Sequence, residues 1–289
     1  MNRPKLTREP IWTFTGRILL VITFTCYAPV LACGAQPQSS HITRNTRVLG
    51  KQDSELPLPP TSVVAGRKDS IALALLGQCV SRMSLTSVNE IQGTGTFTDQ
   101  FASNPATLTY DNQGSLRLDV STTKGQISVR MHDGYGAIRG VTGNTHTLTP
   151  ETASGEWLPS PLLLLLKYND AQTTVIDQGI VNTDIGALHR VTLEFPALTP
   201  SSPAQTTTVV DVYLNPSTGL VTKTASSIRL DTRDRASYFQ VVTFGSYKSQ
   251  DGSLLPFSYA VTLNGQPQWT LQLDSISLNP SLTASYFSF

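Results

Sequence analysis

From Ile91 onward the chain is a succession of short segments that alternate apolar with polar residues or carry β-branched ones, each closed by turn chemistry. Ile91 to Phe101, Ala106 to Asp111, Ser115 to Ser121 and Gln126 to Met131 are divided by Asn104-Pro105, Asn112-Gln113-Gly114 and Lys124-Gly125. Shorter segments follow at Ala137 to Val141 and Thr145 to Leu148. A period of two puts Leu116, Leu118 and Val120 on one face of a strand and Arg117 and Asp119 on the other. Ile127, Val129 and Met131 oppose Ser128 and Arg130 in the same way. One dry face and one wet face point to antiparallel sheet.

The second half repeats the pattern at Val175 to Gln178, Leu188 to Phe195, Thr207 to Leu214, Leu220 to Leu230, Tyr238 to Lys248, Leu254 to Leu263 and Gln268 to Leu278. Asn264-Gly265 is the sharpest hairpin signal among the turns. Composition agrees: Ser and Thr number 66 and only 14% of residues are charged, which suits half-buried pleated surface better than a helical bundle. With 21 Lys and Arg against 20 Asp and Glu and no basic cluster, nucleic acid is not an expected partner.

Two helices are expected beside about eleven strands. Ile71, Leu75, Leu76, Cys79, Val80 and Met83 recur at three-and-four spacing behind a cap at Asp69 or Ser70. Ser160-Pro161 opens the run Leu162 to Leu166, which ends at Lys167-Tyr168-Asn169 and reads as a short buried helix, with a core strand as the alternative. Strands that twist by roughly 20 to 25° from neighbour to neighbour curl a sheet this wide, giving either a closed barrel or a trough with an apolar concave face. Either form suits an apolar ligand.

Residues 1–35 read as a targeting segment. Arg3, Lys5, Arg8 and Arg17 precede the apolar run from Ile18 to Ala32, which is shorter than the roughly 20 residues of a spanning helix and is interrupted by Pro29. Two exits are open: cleavage after Ala32 or Ala35, or use of Val30-Leu31-Ala32-Cys33 as a lipobox that makes Cys33 a lipidated N-terminus and membrane anchor. Residues 36–67 have few apolar residues and end on Pro57, Pro59 and Pro60, and read as a disordered tether. The folded domain is expected over 68–289, where Cys79 is the one remaining cysteine and its surroundings suit a buried, inert thiol.

Val212-Tyr213-Leu214-Asn215-Pro216-Ser217-Thr218-Gly219-Leu220, then Phe244-Gly245-Ser246-Tyr247, Asp251-Gly252-Ser253-Leu254-Leu255-Pro256-Phe257, Asn264-Gly265 and Ile276-Ser277-Leu278-Asn279-Pro280, followed by a tail closing at Phe287 or Phe289, resemble bacterial exported proteins related to the outer-membrane lipoprotein carrier and receptor LolA and LolB. The resemblance covers roughly residues 69 to 289 and implies an incomplete antiparallel β-barrel, lidded by helices, that holds acyl chains in an apolar cavity. The segment from Leu198 to Gln205 departs from it and reads as an exposed loop.

Catalytic spacing is sought in vain: HExxH, CxxC, GxSxG and GxxxxGK[ST] do not occur in the domain. His132-Asp133 reads as a plain turn. His189 shares a strand face with Ala187, Val191, Leu193 and Phe195, and is either a satisfied core histidine or a contact to a ligand headgroup; Arg190 and Glu194 face outward as a solvated pair. Trp157 and Leu158 suit a helix staple, or the edge of a mouth. The expected protein is a non-enzymatic binder of acyl chains or a lipidated protein in the cell envelope, with no cofactor and no metal. Its cavity would be lined by Leu116, Leu118, Val129, Leu163, Leu164, His189, Leu193, Val212, Val261 and Leu271. The alternative is a protein-interaction module whose core is filled by its own side chains.

Overall fold

A computed structural model describes residues 66–132, 135–148, 165–196, 207–228 and 238–288. The chain enters through α1 (Ser70–Met83) and then builds β1 (Glu90–Asp99), β2 (Ser103–Asp111), β3 (Leu116–Thr122), β4 (Gly125–His132), β5 (Tyr135–Arg139) and β6 (Thr145–Leu148). After a 3-10 turn at Leu165–Asn169 come β7 (Thr174–Thr183), β8 (Gly186–Pro196), β9 (Thr207–Leu214), β10 (Val221–Ile228), β11 (Tyr238–Gln250), β12 (Ser253–Leu263) and β13 (Gln266–Leu278). The thirteen strands exceed the expected eleven. The two shortest, β5 and β6, have five and four residues and fall on the short segments read at Ala137 to Val141 and Thr145 to Leu148.

All thirteen form one antiparallel sheet in the order β6-β5-β4-β3-β2-β1-β13-β12-β11-β10-β9-β8-β7. Two meanders are thus zipped together along β1 and β13, and the outermost strands, β6 and β7, do not pair with each other. The sheet is an open, incomplete barrel. At the seam Ile91 faces Leu278 and Gly93 faces Ile276; a bulge after Thr94 then sets Gly95 opposite Leu273 and Phe97 opposite Leu271. Gly95 is required there, because a Cβ would lie 2.7 Å from Cα of Leu273 and collide with the backbone of Gln272.

α1 starts where Asp69 Oδ1 accepts from the N–H groups of Ile71 (2.9 Å) and Ala72 (3.2 Å), and stops at Ser84, whose φ of 53° is left-handed. Its buried face is Ala72, Leu76, Cys79, Val80 and Met83; Ile71, expected in the stripe, is 57% exposed. The helix touches both β7 and β12, which are five strands apart. Five steps of about 4.8 Å come to roughly 24 Å on a flat sheet, and a helix of fourteen residues is about 21 Å long. It meets both because the sheet curls around it, so α1 lies across the concave face. The residues entering α1 also cover part of one sheet edge: Val175 N–H donates to the Arg67 carbonyl (2.8 Å) and Asp69 N–H to that of Val175 (2.9 Å).

After β13 the chain turns at Asn279, which has a φ of 49° and accepts through Oδ1 from the N–H groups of Asn89 (2.7 Å) and Glu90 (3.2 Å). The tail then crosses the convex face. Arg117 stacks over the Tyr286 ring at 4.2 Å while its Nε bonds Asp119 at 2.6 Å, and Gln92 donates to the Tyr286 hydroxyl at 3.1 Å. Phe287 is 3% exposed and stacks on His132.

Candidate ligand-binding face

Direct cross-strand partners share a face, so the register alone assembles the site. One row runs Val129, Leu118, Leu108, Gly93, Ile276. Another runs Asp177, Val191, Val212, Thr224, Val242, Val261, Trp269. A third joins Phe97, Leu271, Tyr259 and Phe244. Of the residues expected to line a cavity, Leu116, Leu118, Val129, His189, Leu193, Val212, Val261 and Leu271 therefore lie on one face. The seven apolar ones are 1–9% exposed. Leu163, Leu164, Trp157, Leu158 and Cys33 lie outside the described residues, as does Asp133; of the leucine run, Leu165 is buried in the 3-10 turn.

His189 is not solitary. Its Nε2 is 2.6 Å from Asp177 Oδ1, and the two side chains are 17% and 19% exposed. The N–H of Gly179 donates to the same carboxylate at 2.9 Å. That hydrogen bond first, and the one to His189 second, hold the Asp177 carboxyl below its ordinary value. The imidazole is thus tied to a neighbour on its own face. Arg190 on the other face pairs with Asp211 at 3.9 Å rather than with Glu194.

Three further polar features escape sequence reasoning. The hydroxyls of Tyr110 on β2 and Tyr259 on β12 meet at 3.1 Å, and burial pushes the Tyr259 phenol up to about 12. Thr224, Ser226 and Gln240 put a polar patch into the concave face, where they are 3%, 7% and 8% exposed. Their one sequence signal is polar residues at alternate positions of Thr224-Ala225-Ser226, on the face where neighbouring strands carry valine and leucine. On α1, and read as buried from the sequence, the Cys79 thiol is fully buried and pushed up to about 11 by desolvation, as suits an inert packing residue. His132, on the convex side, has its Nδ1 2.9 Å from the Ser115 hydroxyl. Among the described residues, no three His, Cys, Asp or Glu side chains come together so as to hold a metal ion, and no helix is long and apolar enough to cross a membrane.

No protein-family model and no curated protein matches this chain. Solved structures are. An outer membrane lipoprotein-sorting protein domain from Vibrio parahaemolyticus aligns over 75% of this chain and 96% of its own, at 12% identity and a TM-score of 0.48. A LolA superfamily protein from Nitrosomonas europaea aligns over 75% and 97%, at 10% identity and a TM-score of 0.48. A DUF1329 family protein from Desulfovibrio piger is also similar, at 11% identity and a TM-score of 0.44 over 75% of this chain. At these identities and scores the likeness assigns neither a family nor an activity.

Proposed function

We propose that this chain is an exported, non-catalytic binding protein that holds acyl chains, free or attached to a lipidated protein, against the concave face of its sheet. The observation that carries the reading is the continuity of that face: apolar rows run across an open sheet from Val129 on β4 to Val212 on β9, and α1 packs against β7 and β12. Leu116, Leu118, Val129, Leu193, Val212, Val261 and Leu271 line it, His189 sits at its β7 margin, and Leu163 and Leu164 of the leucine run are proposed to join them. The driving force is removal of apolar surface from water; at about 25 cal/mol per Å², some 200 Å² of an acyl chain contributes about 5 kcal/mol. Export through residues 1–35, anchoring through Cys33 and a spacer over 36–67 would hold the domain of 68–289 near a membrane in the cell envelope.

Native mass spectrometry of the purified protein, followed by lipid extraction, tests the proposal. A co-purifying acyl species, or uptake of a fluorescent fatty acid by the bare protein, supports it. A clean apo mass together with no uptake sinks it. One observation favours a second reading: the seven apolar residues of the face are only 1–9% exposed, as they would be in a core filled by the protein's own side chains. In that case the domain is a cell-envelope interaction module for a protein partner.

A further inference from the structure

Ten polar residues are buried among the described ones, and six of them have side-chain partners. Thr109 is within hydrogen-bond reach of Gln92 and Tyr286, Ser115 of His132, and Ser253 donates to the Ser84 carbonyl. Ser128 donates to Asp119, which also holds Arg117, and Thr192 donates to Asp211. Those six follow the usual rule that a polar side chain taken out of water finds a partner. Thr173, Thr224, Ser226 and Gln240 have no side-chain hydrogen bond among the described residues; Thr224, Ser226 and Gln240 are each at least nine-tenths buried, yet their polar atoms are not among those wholly shut off from solvent, so they stay open to a partner from outside.

The three are neighbours. Ser226 lies directly opposite Gln240 across β10 and β11, and Thr224 is two residues along β10 on the same face, about 6.6 Å away. Thr224 is paired with Val212 and Val242, and Gln240 with Leu263, so the patch is set into apolar wall and no cation is among its direct partners. α1 approaches β10 near its start, where the Val221 backbone lies against Cys79; Ser226 is five residues further along the strand. Two hydroxyls and a primary amide both donate and accept. Such a set answers a neutral carbonyl-bearing group. It has nothing with which to balance an ionised headgroup, and a bare hydrocarbon offers it nothing.

We propose that Thr224, Ser226 and Gln240 form a recognition site for the neutral amide or ester linkage of an acyl ligand whose chain lies along the surrounding valine and leucine surface. This rests on the acyl-binding reading and deepens it, turning a surface that selects by hydrophobicity into one that selects the kind of linkage the chain carries. It also accounts for polar residues kept on a face where valine and leucine would otherwise serve.

The test is displacement of a fluorescent fatty acid from the full chain by lauramide, methyl laurate and dodecane, which share a chain length, in the wild type and in a Ser226→Ala/Gln240→Leu double variant. Losing the hydrogen bonds should weaken lauramide and methyl laurate about tenfold or more while dodecane stays within about twofold. Equal weakening of all three, or of none, overturns the proposal and leaves acyl binding standing. Failure of the reporter to bind the wild type overturns both together. Lauramide weakened alone assigns the site to amides, and methyl laurate weakened with it assigns it to the shared carbonyl. Thermal unfolding without ligand gives an independent reading of the same groups. Gln240→Leu should melt at or above the wild-type temperature, since it removes a buried amide that has no partner; a marked fall would show the amide satisfied within the protein and would overturn the proposal.

Discussion

The hydroxyls of Tyr110 and Tyr259 lie 3.1 Å apart in the interior although their residues are 149 positions apart in the chain. Tyr110 is on β2 and Tyr259 on β12, so the bond ties one meander to the other across the β1 and β13 seam. Tyr110→Phe should destabilise the fold by about 1–3 kcal/mol, because it strands the buried Tyr259 hydroxyl. The double variant with Tyr259→Phe should be less destabilised than the two single costs summed. Urea unfolding of the four proteins measures the coupling, and strict additivity would show that the hydroxyls are not partners.

Alkali should weaken the protein in a defined window. Burial raises the folded-state values of Tyr259 to about 12 and of Cys79 to about 11, and raises that of Tyr247 as well. Each group then keeps its proton in the folded state where the unfolded chain has lost it. Their contribution is whole below the unfolded values of about 8.5 for Cys and 10 for Tyr, and is lost as pH rises through the folded ones. Urea midpoints should fall between about pH 9 and 12, and phenolate absorbance from these tyrosines should appear only with unfolding.

Gly95→Ala should be costly out of proportion to its size. The added methyl would meet the backbone of Gln272 and Leu273 rather than a side chain able to turn aside. Overpacking of this kind costs roughly 1–3 kcal/mol. Chemical denaturation reads the effect, and an unchanged midpoint would mean that the seam is looser than its register implies.

Phe287→Ala should cost about 3 kcal/mol, the low end for a buried phenylalanine. The ring is 3% exposed and packs over His132 on the convex face, with Tyr286 held by Arg117 beside it. A thermal melt within about a degree of wild type would show that the tail contributes nothing to stability.

On the acid side, the depressed Asp177 carboxyl contributes stability that is present above the ordinary aspartate value of about 4 and is lost as pH falls through its lower folded value. Asp177→Asn should flatten that part of the acid limb of a urea-midpoint profile. A profile parallel to wild type would show that the pair with His189 gives no net stabilisation.

Much of this fold is legible in the chain because alternation survives wherever one face is buried. Leu116, Leu118 and Val120, or Val210, Val212 and Leu214, declare both strand and face by type alone. Pairing is less visible. Nothing local in Ile91 announces Leu278 as its partner, since register between distant strands is set by the whole sheet. The bulge at Gln178 and Gly179 has a similar effect on a smaller scale: these two residues of β7 face the single Arg190 of β8, and the one extra residue breaks the simple count along β7 and hides Asp177 as the partner of His189. The polar patch is hidden for another reason. Ser226 and Gln240 look like ordinary solvent-facing residues until the register turns them inward. The tail is legible only as a pair of aromatics, because its site on Arg117 and His132 exists only once β3 and β4 lie side by side.

The seam at β1 and β13 also dictates when this protein can fold. The first strand made is locked to the last, and the contact from Asn89 to Asn279 spans 190 residues. Each meander can assemble from neighbours as it is synthesised, but β1 keeps one open edge until β13 has been made. Contacts so distant in sequence slow folding and prolong the exposure of an unpaired strand. A chain with this topology cannot complete its sheet early, and it gains from a helper that shields β1 until its partner arrives.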